Sequence, residues 1–195
     1  MNPEEPDDRT LVAQVLAGDT DRFEVLVRRH QRLVFGIVSR RVGRQEADEV
    51  AQDVFVRAFS GLSRYEGVKP FANWLSIIAV RACCDHWRRH YRKREVPVST
   101  LTDNCRQWME NRFAQDSDED AERACEQKEA SLILAAALDC LEPDDRMVLT
   151  LTHLEEKSTA EASELLGWSV AKVKVRAFRA RAKMKKILQR LMEAR

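Results

Sequence analysis

A chain of 195 residues suits one or two small domains. Its apolar share of 44% allows a core, its charged share of 33% is high, and its formal net charge is only +1. No stretch approaches the ~18–20 consecutive apolar residues of a membrane span, and the acidic start MNPEEPDDRT is unlike a secretory signal.

Glycine and proline number 6 and 5 and fall at the ends of periodic segments, so the chain reads as all-α, with no convincing strand. The first helix runs from Asp8, a plausible N-cap, to about Ala17, with Leu11, Val12, Val15 and Leu16 on one face and Gly18 stopping it. A second helix carries Phe23, Leu26, Val27, Leu33, Val34, Ile37 and Val38 and stops near Gly43. A third runs from about Glu46 to Ser60 with Val50, Val54, Phe55 and Ala58 inward. The fourth starts near Pro70 and passes through Trp74, Leu75, Ile78, Ala79 and Ala82 into the basic run at 88–94.

Composition then shifts. Residues 1–95 carry 17 Lys/Arg against 14 Asp/Glu, whereas residues 96–127 carry 3 against 8, including the cluster DSDEDAE. That stretch reads as a flexible, solvated acidic linker between two small helical domains. Trp108, Met109 and Phe113 are apolar for a linker, and either cover a helix end or dock on a partner. Helices resume at 128–141 and again behind Pro143, which sits at a first turn.

The last segment, residues 168–195, carries 10 Lys/Arg against 1 Asp/Glu, and such local asymmetry points to a polyanion more directly than the total does. Its run AKVKVRAFRARAKMK, residues 171–185, alternates like a half-buried strand. Spacing by three and four tells otherwise. Val170, Val173, Ala177, Ala180, Met184, Ile187, Leu188 and Leu191 form one apolar stripe, and Lys172, Arg176, Arg179, Lys183, Lys186 and Arg190 form a basic one, so the run is helix.

Before it, STAEASELL offers a helix capped by Ser158 or Thr159, Gly167 ends that helix, and Ser169 can cap the next. A short helix, a three-residue turn with Gly and a longer helix make a helix-turn-helix, whose second helix enters the major groove by its N-terminal residues. Ala171, Lys172, Lys174, Val175 and Arg176 are therefore the candidates for base or phosphate contact, with Arg179, Lys183 and Lys186, further along, as backbone contacts or simply exposed.

In KPFANWLSIIAVRACCDHWRRHYRKR, residues 69–94, Phe71, Trp74, Trp87 and Tyr91 mix with Arg88, Arg89, Arg92, Lys93 and Arg94. Aromatics interleaved with cations suit single-stranded DNA, although Trp74 reads mainly as core.

Three stretches, DEVAQDVFVRAF at 48–59, FANWLSIIAVRACCDHWRR at 71–89 and LGWSVAKVKVRAFRARAKM at 166–184, together resemble the sigma-70 family. The two-domain size resembles its extracytoplasmic-function branch. The resemblance implies a bacterial, cytoplasmic, non-enzymatic initiation factor of stress-response type that directs core RNA polymerase to promoters. It assigns 1–95 to sigma region 2, 96–127 to the linker and 128–195 to sigma region 4. It implies that Asp48, Glu49, Gln52, Asp53, Val54 and Phe55 dock on the clamp helices of the largest polymerase subunit, with the flap of the second subunit as a further contact. It places the loop SRYEGVKP at 63–70 where a flipped −10 base is captured, with Tyr65, Lys69, Asn73, Arg81, Arg88, Arg89 and Arg92 as −10 contacts. It gives the −35 duplex to Ser169, Ala171, Lys172, Lys174, Val175, Arg176 and Arg179, and it implies control by an anti-sigma factor. Competing readings are a sigma-like decoy that sequesters an anti-sigma factor and an unrelated helix-turn-helix regulator.

No cofactor is expected. Cys83, His86 and His90 fall at i, i+3 and i+7 and would share a helix face, but no further ligand set is evident and adjacent bases would repel a cation, so no metal is expected either. The five cysteines, Cys83, Cys84, Cys105, Cys125 and Cys140, lack a CxxC pair and read as reduced thiols.

Overall fold

The structure, a computed structural model, describes residues 6–93 and 122–193; most of the acidic stretch, with Trp108, Met109 and Phe113, lies outside the described residues. All regular structure among the described residues is helical. The chain divides into two compact units, residues 1–87 with 164–167 and residues 88–163 with 168–195. No helix among the described residues is long and apolar enough to cross a membrane.

Helix α1 spans Asp8–Leu16 and is capped by Asp7, one residue earlier than the sequence suggests. The Thr10 amide donates to Asp7 Oδ1 at 2.8 Å; hydrogen bonds from the Thr10 hydroxyl and amide hold that carboxyl below its ordinary range. Asp8 is thereby left to bind α2, Arg22–Val42: it accepts from Arg29 Nη1 at 2.6 Å and lies 2.9 Å from His30 Nε2. Helix α3, Arg44–Ser60, follows α2 after the single residue Gly43, whose φ of +89° a side chain would strain. A 3-10 turn at Leu62–Arg64 leads through a loop to α4, Phe71–Lys93.

Helix α2 packs along both α1 and α3. Leu11, Leu26, Val34, Val38, Val50, Val54, Leu75, Ala79 and Ala82 are buried, as the 3.6-residue period predicts. Leu16 and Leu33 belong to the same stripes but stay 53% and 38% exposed, because the apolar face is wider than the neighbouring helices cover.

Helix α5, Glu122–Asp139, begins six residues before the expected 128, inside the stretch read as linker. Its first turns are mostly Glu, Arg, Ala and Gln, all good helix formers. Helix α6, Pro143–Leu149, runs on into a π turn at Thr150–Leu154. Helices α7, Thr159–Leu166, and α8, Val170–Glu193, complete the chain. Helices α5 and α6 pack on α8, whose Val173, Ala177 and Ala180 are buried, as are Ala137, Met147, Val148 and Leu151. The run that alternates like a strand is thus helical throughout.

Cys83 and Cys84 are buried. Cys140 is disulfide-bonded, against the reduced-thiol expectation. Sequence spacing reports no through-space distance between sulfurs, which is what pairing requires.

Candidate functional site

The turn between α7 and α8 is held by its own side chains. Ser158 Oγ accepts the Glu161 amide at 3.2 Å and Glu161 Oε2 accepts the Ser158 amide at 2.9 Å, a reciprocal capping box. Hydrogen bonds from the Ser158 hydroxyl and amide hold the Glu161 carboxyl below its ordinary value. Gly167 takes φ +68°, the Ser163 hydroxyl donates to the Trp168 carbonyl, and Ser169 Oγ accepts the Lys172 amide at 3.2 Å to cap α8. Lys172 Nζ lies 4.3 Å from the centre of the Trp168 ring, a cation–π contact that holds this lysine at the start of the helix.

Beyond the cap, α8 presents Ala171, Lys172, Lys174, Val175 and Arg179 to solvent. Phe178 is 68% exposed three residues after Val175 and is not among the contact candidates the sequence singles out. Arg176 points elsewhere. It pairs with Glu142 at 2.9 Å and with Asp145, whose residue is only 1% exposed. Lys183 reaches the same two carboxylates, at 3.1 and 2.7 Å. Burial disfavours the Lys183 charge, but the hydrogen bonds to Asp145 and Glu142 outweigh it and raise its pKa above the ordinary value. Two members of the basic stripe therefore tie α8 to the start of α6.

On α3, Asp48, Glu49 and Gln52 are exposed and Asp53 and Phe55 half-buried. Val54 is fully buried, so a partner on this face would not reach it. Asp53 sits 2.9 Å from Arg57, which also donates to Asp85 on α4 at 2.6 Å. Burial opposes the Arg57 charge, and the hydrogen bonds to Asp85 and Asp53 more than compensate. Val56 and Phe59, 63% and 44% exposed, extend the row Asp48, Gln52 by helical steps of four and three. Phe59 stands edge-on to Phe23, with 5.0 Å between centroids.

The loop before α4 is organised by Tyr65. Its hydroxyl donates to the Lys69 carbonyl at 2.8 Å, and its ring lies 5.4 Å from Phe71 and 5.5 Å from Trp74. Arg9 of α1 donates to the Gly67 carbonyl, a support absent from the sequence reading. Lys69, Asn73 and Arg81 are exposed, Arg88 is half-buried, and Arg89 and Arg92 are exposed on the last turns of α4. Among the aromatics proposed for stacking, Phe71 is 2% exposed and belongs to the core. Trp87 is half-buried and fixed by its Nε1, which donates to the Arg41 carbonyl at 3.2 Å.

Comparison with known proteins now bears on these surfaces. Residues 26–93 match the family model for Sigma-70 region 2, and residues 131–184 match Sigma-70, region 4. The RNA polymerase sigma-H factor of Pseudomonas aeruginosa is 32% identical over 186 residues, covering 95% of each chain. The ECF RNA polymerase sigma-E factor of Escherichia coli K12 is 30% identical over 174 residues, 89% of this chain and 90% of its own. Among solved structures, CnrH in complex with the cytosolic domain of CnrY matches with a TM-score of 0.51 and 29% identity, covering 93% of this chain and 97% of that one. With two region models matched in order, and relatives covered over nearly their whole length, the chain belongs to the sigma-70 family and is a transcription-initiation sigma factor of the extracytoplasmic-function type.

Proposed function

We propose that residues 1–95 act as sigma region 2, 96–127 as an acidic linker and 128–195 as sigma region 4, working together on core RNA polymerase in the bacterial cytoplasm. The carrying observation is the capped start of α8. Ser169 closes the helix, and Ala171, Lys172, Lys174 and Val175 stand exposed in its first turns, where a helix-turn-helix meets base edges. Lys172 and Lys174 donate to the −35 duplex, with Arg179 further along on phosphate. Arg176 supports this face from behind, because its guanidinium is engaged by Glu142 and Asp145.

The −10 reading rests on the loop at 63–70. Tyr65 keeps a half-buried ring against Phe71 and Trp74, with Lys69, Asn73 and Arg81 exposed nearby in sequence and Arg88, Arg89 and Arg92 beyond. A base drawn out of the stack against that aromatic group compensates part of the unstacking cost, so binding energy favours strand separation. No covalent step is assigned to the factor.

The outward row of α3, with Asp48, Glu49, Gln52 and Asp53 beside Phe55, is a polar-rimmed apolar surface suited to the clamp helices of the largest polymerase subunit, and Val56 and Phe59 enlarge it. The flap of the second subunit is the further polymerase contact. CnrH binds the cytosolic domain of another protein, which supports control of this chain by an anti-sigma factor.

Run-off transcription with purified core polymerase across genomic promoters tests the reading. Specific transcripts that require both the protein and core enzyme are the expected result. Transcripts absent despite tight binding of an inhibitor would identify a decoy, and promoter-duplex binding that ignores core enzyme would identify an unrelated regulator.

A further inference from the structure

The face of α4 that carries His86 and His90 has a third donor that the sequence does not show. Glu46, in the first turn of α3, places Oε2 3.1 Å from His86 Nε2, across 40 positions of chain. His90 lies one helical turn beyond His86, and one ligand atom from each of Glu46, His86 and His90 lies within 4.8 Å of the other two. We propose that these three side chains form a binding site for a divalent transition-metal ion of the Zn2+ class, tying the first turn of α3 to the last turn of α4.

The geometry supports the assignment in three ways. Two ligands about 2.0–2.1 Å from a tetrahedral zinc stand about 3.3 Å apart, and the His86–Glu46 separation of 3.1 Å is already close to that edge. His90 closes the triangle by a side-chain rotation, which its exposed position permits. The His86 ring is oriented in advance: it stands edge-on to Trp87 at 5.7 Å, and Trp87 is itself fixed to the Arg41 carbonyl. Two imidazoles and a carboxylate are the donor set of borderline ions, and three protein ligands leave a fourth position for water.

The cation next to His90 in sequence, Arg89, opposes the ion. Glu46 acts against that repulsion by bringing a carboxylate into the site. Cys83, the third member of the sequence pattern, is buried and is not part of the cluster.

Titration of the full-length protein with Zn2+ against a chromophoric chelator, in a phosphine reductant, tests the site. The expected result is one site per chain whose affinity falls at least about tenfold in both His90→Ala and Glu46→Gln, since removing even a residue that only supports a ligand costs that much. The thermal midpoint should rise with Zn2+ in the parent protein and stay unmoved in His90→Ala, which changes an exposed residue and keeps the fold. Co2+ should give visible d–d bands with no thiolate charge-transfer band in the near ultraviolet. Parent-like affinity in either variant, or a thiolate band at the tight site, overturns the proposal.

Discussion

The two faces of α8 separate side chains of one chemistry into different tasks. Lys172 and Arg176 are four residues apart in the same basic run, yet one stands over Trp168 and faces solvent while the other meets a buried carboxylate. Their substitutions should therefore part company. Lys172→Ala should lower the salt slope of holoenzyme binding to a promoter duplex by about one and leave thermal stability unchanged. Arg176→Ala should do the reverse, lowering the midpoint of the C-terminal helices by withdrawing a partner from Asp145. Anisotropy titrations at several salt concentrations, paired with thermal melts, check both halves. A salt slope unchanged by Lys172→Ala removes this lysine from the DNA face.

Among the helices, α8 depends on its start being fixed as much as on its apolar stripe. Its first four amides have no partner within the helix, and Ser169 supplies one. Ser169→Ala should cost about 1 kcal/mol of helix stability. Hydrogen exchange of the Lys172 amide should accelerate accordingly, with the amides of the buried stretch near Ala180 much less affected. The same reasoning explains α1. Asp7 takes the cap and so leaves Asp8 free to join Arg29 and His30, and one displaced residue converts a capping carboxylate into a helix–helix clamp.

At the scale of the whole molecule, two compact units each with buried side chains predict unfolding in more than one transition. Leu26→Ala, at a site of 0% exposure, should lower the transition of the N-terminal helices by about 2–5 kcal/mol. Met147→Ala, at a site of 2% exposure, should lower that of the C-terminal helices by about 2–5 kcal/mol, each leaving the other transition in place. Differential scanning calorimetry of the two variants reads this directly, and a single transition moved equally by both would refute it.

Much of the fold is legible from residues alone because helix formation is governed by neighbours three and four apart. The stripe of Val173, Ala177 and Ala180, the left-handed Gly167 and the caps at Ser158 and Ser169 are all local facts. Which surface each stripe meets is not local. The period puts Arg176 and Lys183 with Lys172, but only the packing of α6 on α8 brings Asp145 beneath two of them. The resemblance places Val54 in the docking row of α3, whereas the period turns it inward and packing buries it. In the same way His86 and His90 announce a shared helix face, and only the return of the chain sets Glu46 beside them. The sequence by itself determined the helices and their amphipathic faces, because these follow from contacts within a turn. The tertiary structure alone decided which charges are used internally and which are left for a partner, because that depends on distances between residues far apart in the chain.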